Sequence, residues 1–262
     1  MSRIDLNCDM GESFGAYRIG DDEAILPHVT SVNVACGFHG GDPAVMRATI
    51  AAAQKHGVAV GVHPGLPDLA GFGRRAMDVS PDEAYDLVLY QVGALLGFAL
   101  AAGVTLQHVK PHGALYNMAA ADATLADAIA GAVRDLDAGL VLFGLAGSHL
   151  IAAGVRAELM TASEVFADRR YAASGALVSR RRPDALVTSV DEAVERSLRM
   201  VREGRVRTVD GTDLELRADT ICIHGDGPHA AEFARALRAG LTSAGVLVTA
   251  VGRAVAQRRS AP

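Results

Sequence analysis

Short runs of apolar and β-branched residues alternate along this chain with longer stretches whose apolar positions recur at helical spacing. The runs Ile4–Cys8, Val29–Ala35, Val58–Val62, Thr105–Val109, Leu140–Phe143, Met160–Val165 and Thr220–Ile223 predict strands. Between them, Pro43–His56, Pro81–Ala102, Ala123–Leu136, Ser148–Arg156, Asp191–Glu203 and Pro228–Ala244 predict helices. Ser80 and Ser189, each followed three residues later by a glutamate, read as capping boxes, and Gly57 and Gly204 stand where a left-handed residue ends a helix. Regular β-then-α alternation implies parallel strands with right-handed crossovers, in either a doubly wound sheet or a closed barrel. Seven strands, with an apolar Val246–Val251 left over, favour an α/β fold of the irregular (β/α) barrel type. Residues 1–252 form one barrel domain in this reading, and 253–262 a C-terminal tail.

Two segments break the alternation. Arg205 to Leu216 alternates around Asp210-Gly211, which predicts a β-hairpin with a type I′ turn. Since it follows a helix and precedes a strand, it is expected as structural decoration on the barrel's N-terminal face. Asp168 to Thr188 has no clear period, follows a strand, and carries Arg169, Arg170 and the Arg180-Arg181-Arg182 cluster. Its position and length mark a lid or binding loop on the opposite face. The cluster itself is read as solvated surface.

Polar residues collect at the strand ends. Strand side chains alternate, so Asp5, Asn7 and Asp9 share one face of the first strand while Ile4, Leu6 and Cys8 share the other. A parallel strand in such folds is normally apolar on both faces, so two carboxylates and an amide turned inward need a reason. The same parity turns Asn33 inward, sets His63 beside Ala59 and Gly61, places Lys110 with His108, groups Glu164 with Ala162 and lines His224 with Cys222. Barrel enzymes assemble their sites from several strand ends, and this convergence predicts one cavity at the C-terminal mouth. The loops add to it. NVACGFHGGDP (33–43) runs strand into glycine loop into helix start and contributes His39; HPGLPDLAGFGRR (63–75) adds Arg74 and Arg75. KPHGALYN (110–117) sets His112 and Tyr116 around a Pro-then-Gly turn, and HGDGPH (224–229) offers Asp226 before a helix opened by Pro228.

Composition narrows the classes. With 262 residues, half of them hydrophobic, the chain can bury a full core, near the ~250 residues of one such barrel. The net charge of −5 and the lack of a basic stripe with interleaved aromatics argue against a nucleic-acid partner. No basic, apolar leader opens the chain and no uninterrupted apolar run approaches the ~18 residues of a membrane span, so no membrane is expected and a cytoplasmic protein is. Three cysteines without CxxC spacing read as buried thiols. There is no GxSxG elbow, no GxxxxGK[ST] loop and no HExxH pair. What remains is carboxylate, imidazole, amide and lysine, an inventory for activating water on a carbonyl with or without a metal.

In this order, DLNCDMGE, NVACGFHGGDP, HPGLPDLAGFGRR, VKPHGALYN, SEVFADRRY and ICIHGD, spread from residue 5 to 226, closely resemble the LamB/YcsF family, the A subunits of prokaryotic 5-oxoprolinase. The resemblance implies an irregular barrel similar to glycoside hydrolase and polysaccharide deacetylase barrels. It implies ATP-dependent opening of the 5-oxoproline lactam to glutamate, with magnesium and with two partner subunits, B and C, and leaves open which of the three holds the ATP. On that basis Asp9 or Glu164 is the expected general base, His112 a proton relay and Lys110 the group that stabilises developing negative charge. Asn7, Asn33, His39, His63, Arg169, His224 and Asp226 are expected to hold the substrate. Two rival readings stand beside this one: a stand-alone metal-dependent amide hydrolase with Asp9, His39 and His63 on a divalent ion, and a non-catalytic subunit that binds a small anion.

Overall fold

A computed structural model describes residues 2–227 and 229–252. The expected tail 253–262 and the helix-opening Pro228 lie outside the described residues. Seven parallel strands form the barrel: β1 (Arg3–Met10), β2 (Ser31–Ala35), β3 (Ala59–His63), β4 (Leu106–Val109), β5 (Val141–Leu145), β6 (Met160–Phe166) and, after a hairpin, β9 (Thr220–Ile223). Neighbours pair in that order, and β9 pairs back onto β1 with Asp5 opposite Thr220 and Cys8 opposite Ile223, which closes the ring. The leftover apolar segment supplies β10 (Leu247–Val248), which pairs with Arg3 and Ile4 at the start of β1.

The helices start and stop where the local chemistry requires. In α2 (Pro43–His56) the Asp42 side chain accepts from the backbone N–H groups of Ala44 and Val45, Pro43 fills the first turn, and Gly57 closes the helix at φ +63°. A complete capping box between Ser80 and Glu83 opens α3 (Pro81–Ala101). The ring continues through α5 (Ala123–Leu136), α6 (His149–Arg156), α7 (Val190–Glu203) and α8 (Ala230–Ser243). Among the described helices, α3 alone is long and apolar enough to cross a membrane by length and composition. A count of uninterrupted apolar residues passes over it because Asp86 and Gln91 interrupt the run. Here it packs on α5, and the amide of Gln91 is buried against the backbone of Gly65.

The structure corrects three expectations. A short α1 (Asp22–Ile25) and a full helix α4 (Gly113–Ala121) add to the helices that periodicity predicts; α4 occupies the segment read as a Pro-then-Gly turn, and its N-cap His112 makes no side-chain cap. The hairpin pairs β7 (Arg205–Arg207) with β8 (Asp213–Glu215), but its turn is not type I′. Only Gly211 has positive φ, at +78°, and its N–H reaches the Thr208 carbonyl, the pattern of a turn followed by a left-handed glycine rather than a two-residue loop. Nor is the hairpin confined to the N-terminal face. The Val209 N–H donates to the Tyr171 carbonyl, and the Ala173 N–H to the Asp210 carboxylate, so its tip braces the long loop after β6.

Candidate active site

The barrel interior is a hydrogen-bonded polar column, built as strand parity requires. In its lowest layer Asp5 accepts from Thr30, Ser31 and Thr220 at 2.5–2.8 Å. Burial pushes its carboxyl up to about 6 despite those hydrogen bonds. One layer up, the Asn7 amide donates to Glu164 and Thr220, and the Asn33 amide donates to Asn7 and Asp9, all at 2.7–2.9 Å. His108 completes this layer, with its Nε2 2.7 Å from Asn33 Oδ1 and its ring stacked 4.0 Å from Phe143. Its opposite neighbour must be glycine: a Cβ at Gly61 would lie 2.1 Å from His108 Nε2. Burial, helped by Lys110 and His63, lowers the His108 imidazole to about 3 and keeps it neutral.

The top layer carries the charge. Lys110 Nζ lies 2.7 Å from Asp9 Oδ1, 3.1 Å from Glu164 Oε1 and 3.0 Å from Cys222 Sγ. Burial works against the ammonium, but Asp9, Cys222 and Glu164 hold it well above its ordinary range. Burial likewise opposes ionisation of Asp9, and His63 and Lys110 overcome it, holding that carboxyl well below its usual value. His63 Nε2 stands 3.3 Å from Asp9 Oδ2 and 2.9 Å from His112 Nδ1.

Above this layer opens a cavity of about 830 Å³ at the C-terminal ends of the strands. Asp9, His63, Lys110, His112, Arg169 and His224 line it, which places these expected site residues together. Asn7, Asn33 and Glu164 do not line it: they sit fully buried in the layer below, where strand parity turns them inward but not to the mouth. His39 is also fully buried, stacked on His112 with ring centroids 3.7 Å apart. Asp226 lines a smaller neighbouring pocket and pairs with Arg74 at 2.6 Å.

The structure adds Glu12, Asp168 and Arg180, which the sequence does not assign to the site, and gives Tyr116 and Arg169 their surroundings. Glu12, two residues past β1 and outside its parity, is buried with Oε1 3.4 Å from His39 Nε2. Arg180 and Arg181 both line the cavity, and Arg180 is half-buried, against the expectation of solvated surface for their cluster; Arg181 and Arg182 are exposed. Asp168 accepts from His224 Nδ1 at 2.7 Å, and Tyr116, whose phenol burial and Glu164 push well up, stands on α4. Arg169 is held by the Val178 carbonyl through Nη2, while its buried Nε has no partner. With Arg74, Lys110 and Arg180 it gives the cavity cationic side chains of the kind that suit an anion.

Comparison with known proteins adds a lineage. The LamB/YcsF family model matches residues 4–256. A protein of Tolumonas auensis, named as the A subunit of 5-oxoprolinase, is 65% identical over 251 residues, covering 96% of this chain and all of that one. The crystal structure of the lactam utilization protein from Thermus thermophilus superposes with a TM-score of 0.89 at 50% identity, over 95% of this chain and 99% of that one. A family 4 carbohydrate esterase from Streptomyces lividans shares the fold at a TM-score of 0.50 and 13% identity, over 96% of this chain and 93% of the other.

Proposed function

The chain belongs to the LamB/YcsF family, and from that premise we propose that it is the A subunit of a 5-oxoprolinase, a hydrolase that opens the lactam of 5-oxo-L-proline to L-glutamate with ATP and two partner subunits. The observation that carries this is the 65% identity, over the full length of the relative, to a protein bearing that name. The cavity fits the substrate class: a small anionic cyclic amide needs a cationic partner for its carboxylate and a charged donor for its carbonyl, and Arg169 and Lys110 provide them.

ATP, when bound, would supply a phosphoryl group to the lactam oxygen with ADP as the leaving group; one water then adds at the carbonyl carbon as the C–N bond breaks to free the amino group, and a second water releases the phosphate. In this chain the Arg169 guanidinium, with its unpartnered Nε, holds the substrate carboxylate. The Lys110 ammonium at the cavity floor faces the charge that develops on the carbonyl oxygen. Asp9 lines the cavity and is the base for water, whereas Glu164, sealed beneath Lys110, orients the ammonium instead. His63, with Nε2 3.3 Å from Asp9 Oδ2, helps hold that carboxylate ionised for the role. Arg74 and Arg180 at the mouth fit the charge of a triphosphate, but no glycine-rich phosphate loop is present, so partner subunits complete the nucleotide cradle.

The test is reconstitution. Purified alone with 5-oxoproline, ATP and magnesium, the chain releases little or no glutamate, and adding both partner subunits restores release. ATP-dependent turnover by the chain alone refutes the need for partners, and glutamate release without ATP refutes the ATP-coupled reaction.

A further inference from the structure

Beside Lys110, four side chains from four successive βα connections converge: Glu12 after β1, His39 after β2, His63 at the end of β3 and His112 after β4, their nearest ligand atoms all within 4.8 Å of one another. The outer nitrogens of two rings are already committed. His63 Nδ1 lies 2.7 Å from the Lys110 carbonyl and His112 Nε2 lies 2.8 Å from the Phe72 carbonyl. A carbonyl only accepts, so both of those nitrogens carry hydrogen. In neutral rings the inner nitrogens, His63 Nε2 and His112 Nδ1, are then lone-pair acceptors facing each other at 2.9 Å, an arrangement that requires a positive centre between or beside them.

A shared proton would satisfy that pair but not the rest. Glu12 Oε1 and both nitrogens of His39 are buried without a hydrogen-bond partner, and Glu12 Oε1 lies 3.4 Å from His39 Nε2 and 3.7 Å from His112 Nδ1. Ligands at ~2.1 Å from one tetrahedral ion are themselves about 3.4 Å apart, close to these spacings. Asp9 is a weaker candidate, since its Oδ1 is taken by Lys110 and Asn33.

We propose that Glu12, His39, His63 and His112 form a binding site for one divalent first-row transition cation, of the zinc or manganese class. Imidazole with carboxylate suits that class, and the carbonyls of Lys110 and Phe72 are the outer partners that fix the tautomer of metal-binding histidines. His39 stacks nearly parallel to His112, at 3°, so its ring turns to aim Nε2 at the ion; with no hydrogen bond on either nitrogen, the turn breaks none. The site does not depend on the lactam reading, because it is measured as binding by the isolated chain.

The chain is stripped with chelator, dialysed, and titrated with zinc and manganese by calorimetry, with metal content measured by mass spectrometry. The expected result is one ion per chain for the wild type and for His56→Ala, an exposed histidine at the C-terminal end of α2. Glu12→Gln and His39→Ala should each weaken binding by about 100-fold or more, at least what losing an outer partner costs. Cobalt substituted into the wild type should give visible d–d absorption bands, a readout that needs no variant to fold. No stoichiometric ion and no cobalt spectrum in the wild type overturn the proposal, as does binding that survives both Glu12→Gln and His39→Ala unchanged.

Discussion

Replacing Lys110 with methionine keeps most of the length and the apolar stem of the side chain and removes the ammonium, its charge and its donors. Two carboxylates then remain buried without their cation: Asp9, 2.7 Å away, and Glu164, 3.1 Å away. Removing one member of a buried ion pair costs about 3–5 kcal/mol, because the remaining charge is left in a medium that solvates it poorly. For a chain of this length that corresponds to a fall in Tm of roughly 6 to 20 °C. Calorimetry and urea unfolding at neutral pH give the single-variant cost. The double variant Lys110→Met with Asp9→Asn is the stricter test: neutralising one orphaned carboxylate should recover about 1 kcal/mol or more relative to additivity, as contacting residues do. In the reconstituted enzyme Lys110→Ala should lower kcat by roughly 100-fold or more with little change in KM, on the scale of a lost donor to developing charge. A loss below about 1 kcal/mol for Lys110→Met, or a double variant that adds within about 0.5 kcal/mol, would refute the buried cluster as described.

Two further outcomes test the layers beneath. Asp5 has its folded-state pKa raised to about 6 by burial, above its ordinary value of 3.8, so the folded chain binds that proton more tightly than the unfolded one. The sign follows: the Asp5 contribution is fully present below pH 3.8 and is lost as pH rises through about 6. The loss amounts to about 3 kcal/mol across that window, and Asp5→Asn should gain about that much on the wild type between pH 3.8 and neutral pH in urea unfolding; a difference that stays flat with pH would count against it. Gly61→Ala puts a methyl group into the His108 ring, which Phe143 blocks on its other face; a loss of about 3 kcal/mol is expected from overpacking and the broken bond to Asn33, and wild-type stability would show that the ring is free to move.

Much of this is legible in the sequence because period and parity are backbone properties. The inward direction of Asp5, Asn7, Asp9, Asn33, Lys110 and Glu164 follows from counting residues along strands, and the hydrogen bonds among them realise it. Depth along the barrel does not follow from parity. Asn7, Asn33 and Glu164 point inward yet lie a layer below the cavity, since the register between strands decides which inward residue reaches the mouth. Loop residues are harder still. Glu12, Arg180 and Arg181 sit in segments without a period, so nothing in the spacing distinguishes the two cavity-lining arginines from Arg182 beside them. α4 escapes notice because its nine residues follow a Pro-x-Gly signal that ordinarily marks a turn.

The interior of this barrel is polar where most such barrels are filled with branched aliphatic side chains, and the way that polarity is satisfied bears on function. A buried polar group left without a partner costs about 1–3 kcal/mol, so a column of them persists only if each donor finds an acceptor. From His108 through Asn33, Asn7 and Thr220 to Asp5 the donors all run one way, and none of these side chains is left unpaired. Among the described residues, the buried side-chain atoms without partners belong to Glu12, His39, Tyr116, Ser148, Glu164, Asp168, Arg169 and Ser197. Tyr116, Ser148 and Arg169 line the cavity, and Glu12, His39, Glu164 and Asp168 each adjoin a residue that does. Only Ser197, on α7, falls outside this group. A fold that pairs the run from His108 to Asp5 but leaves polar atoms open around one cavity retains hydrogen-bonding capacity there for a ligand, as the proposed anion at Arg169 and the proposed cation among the histidines both require.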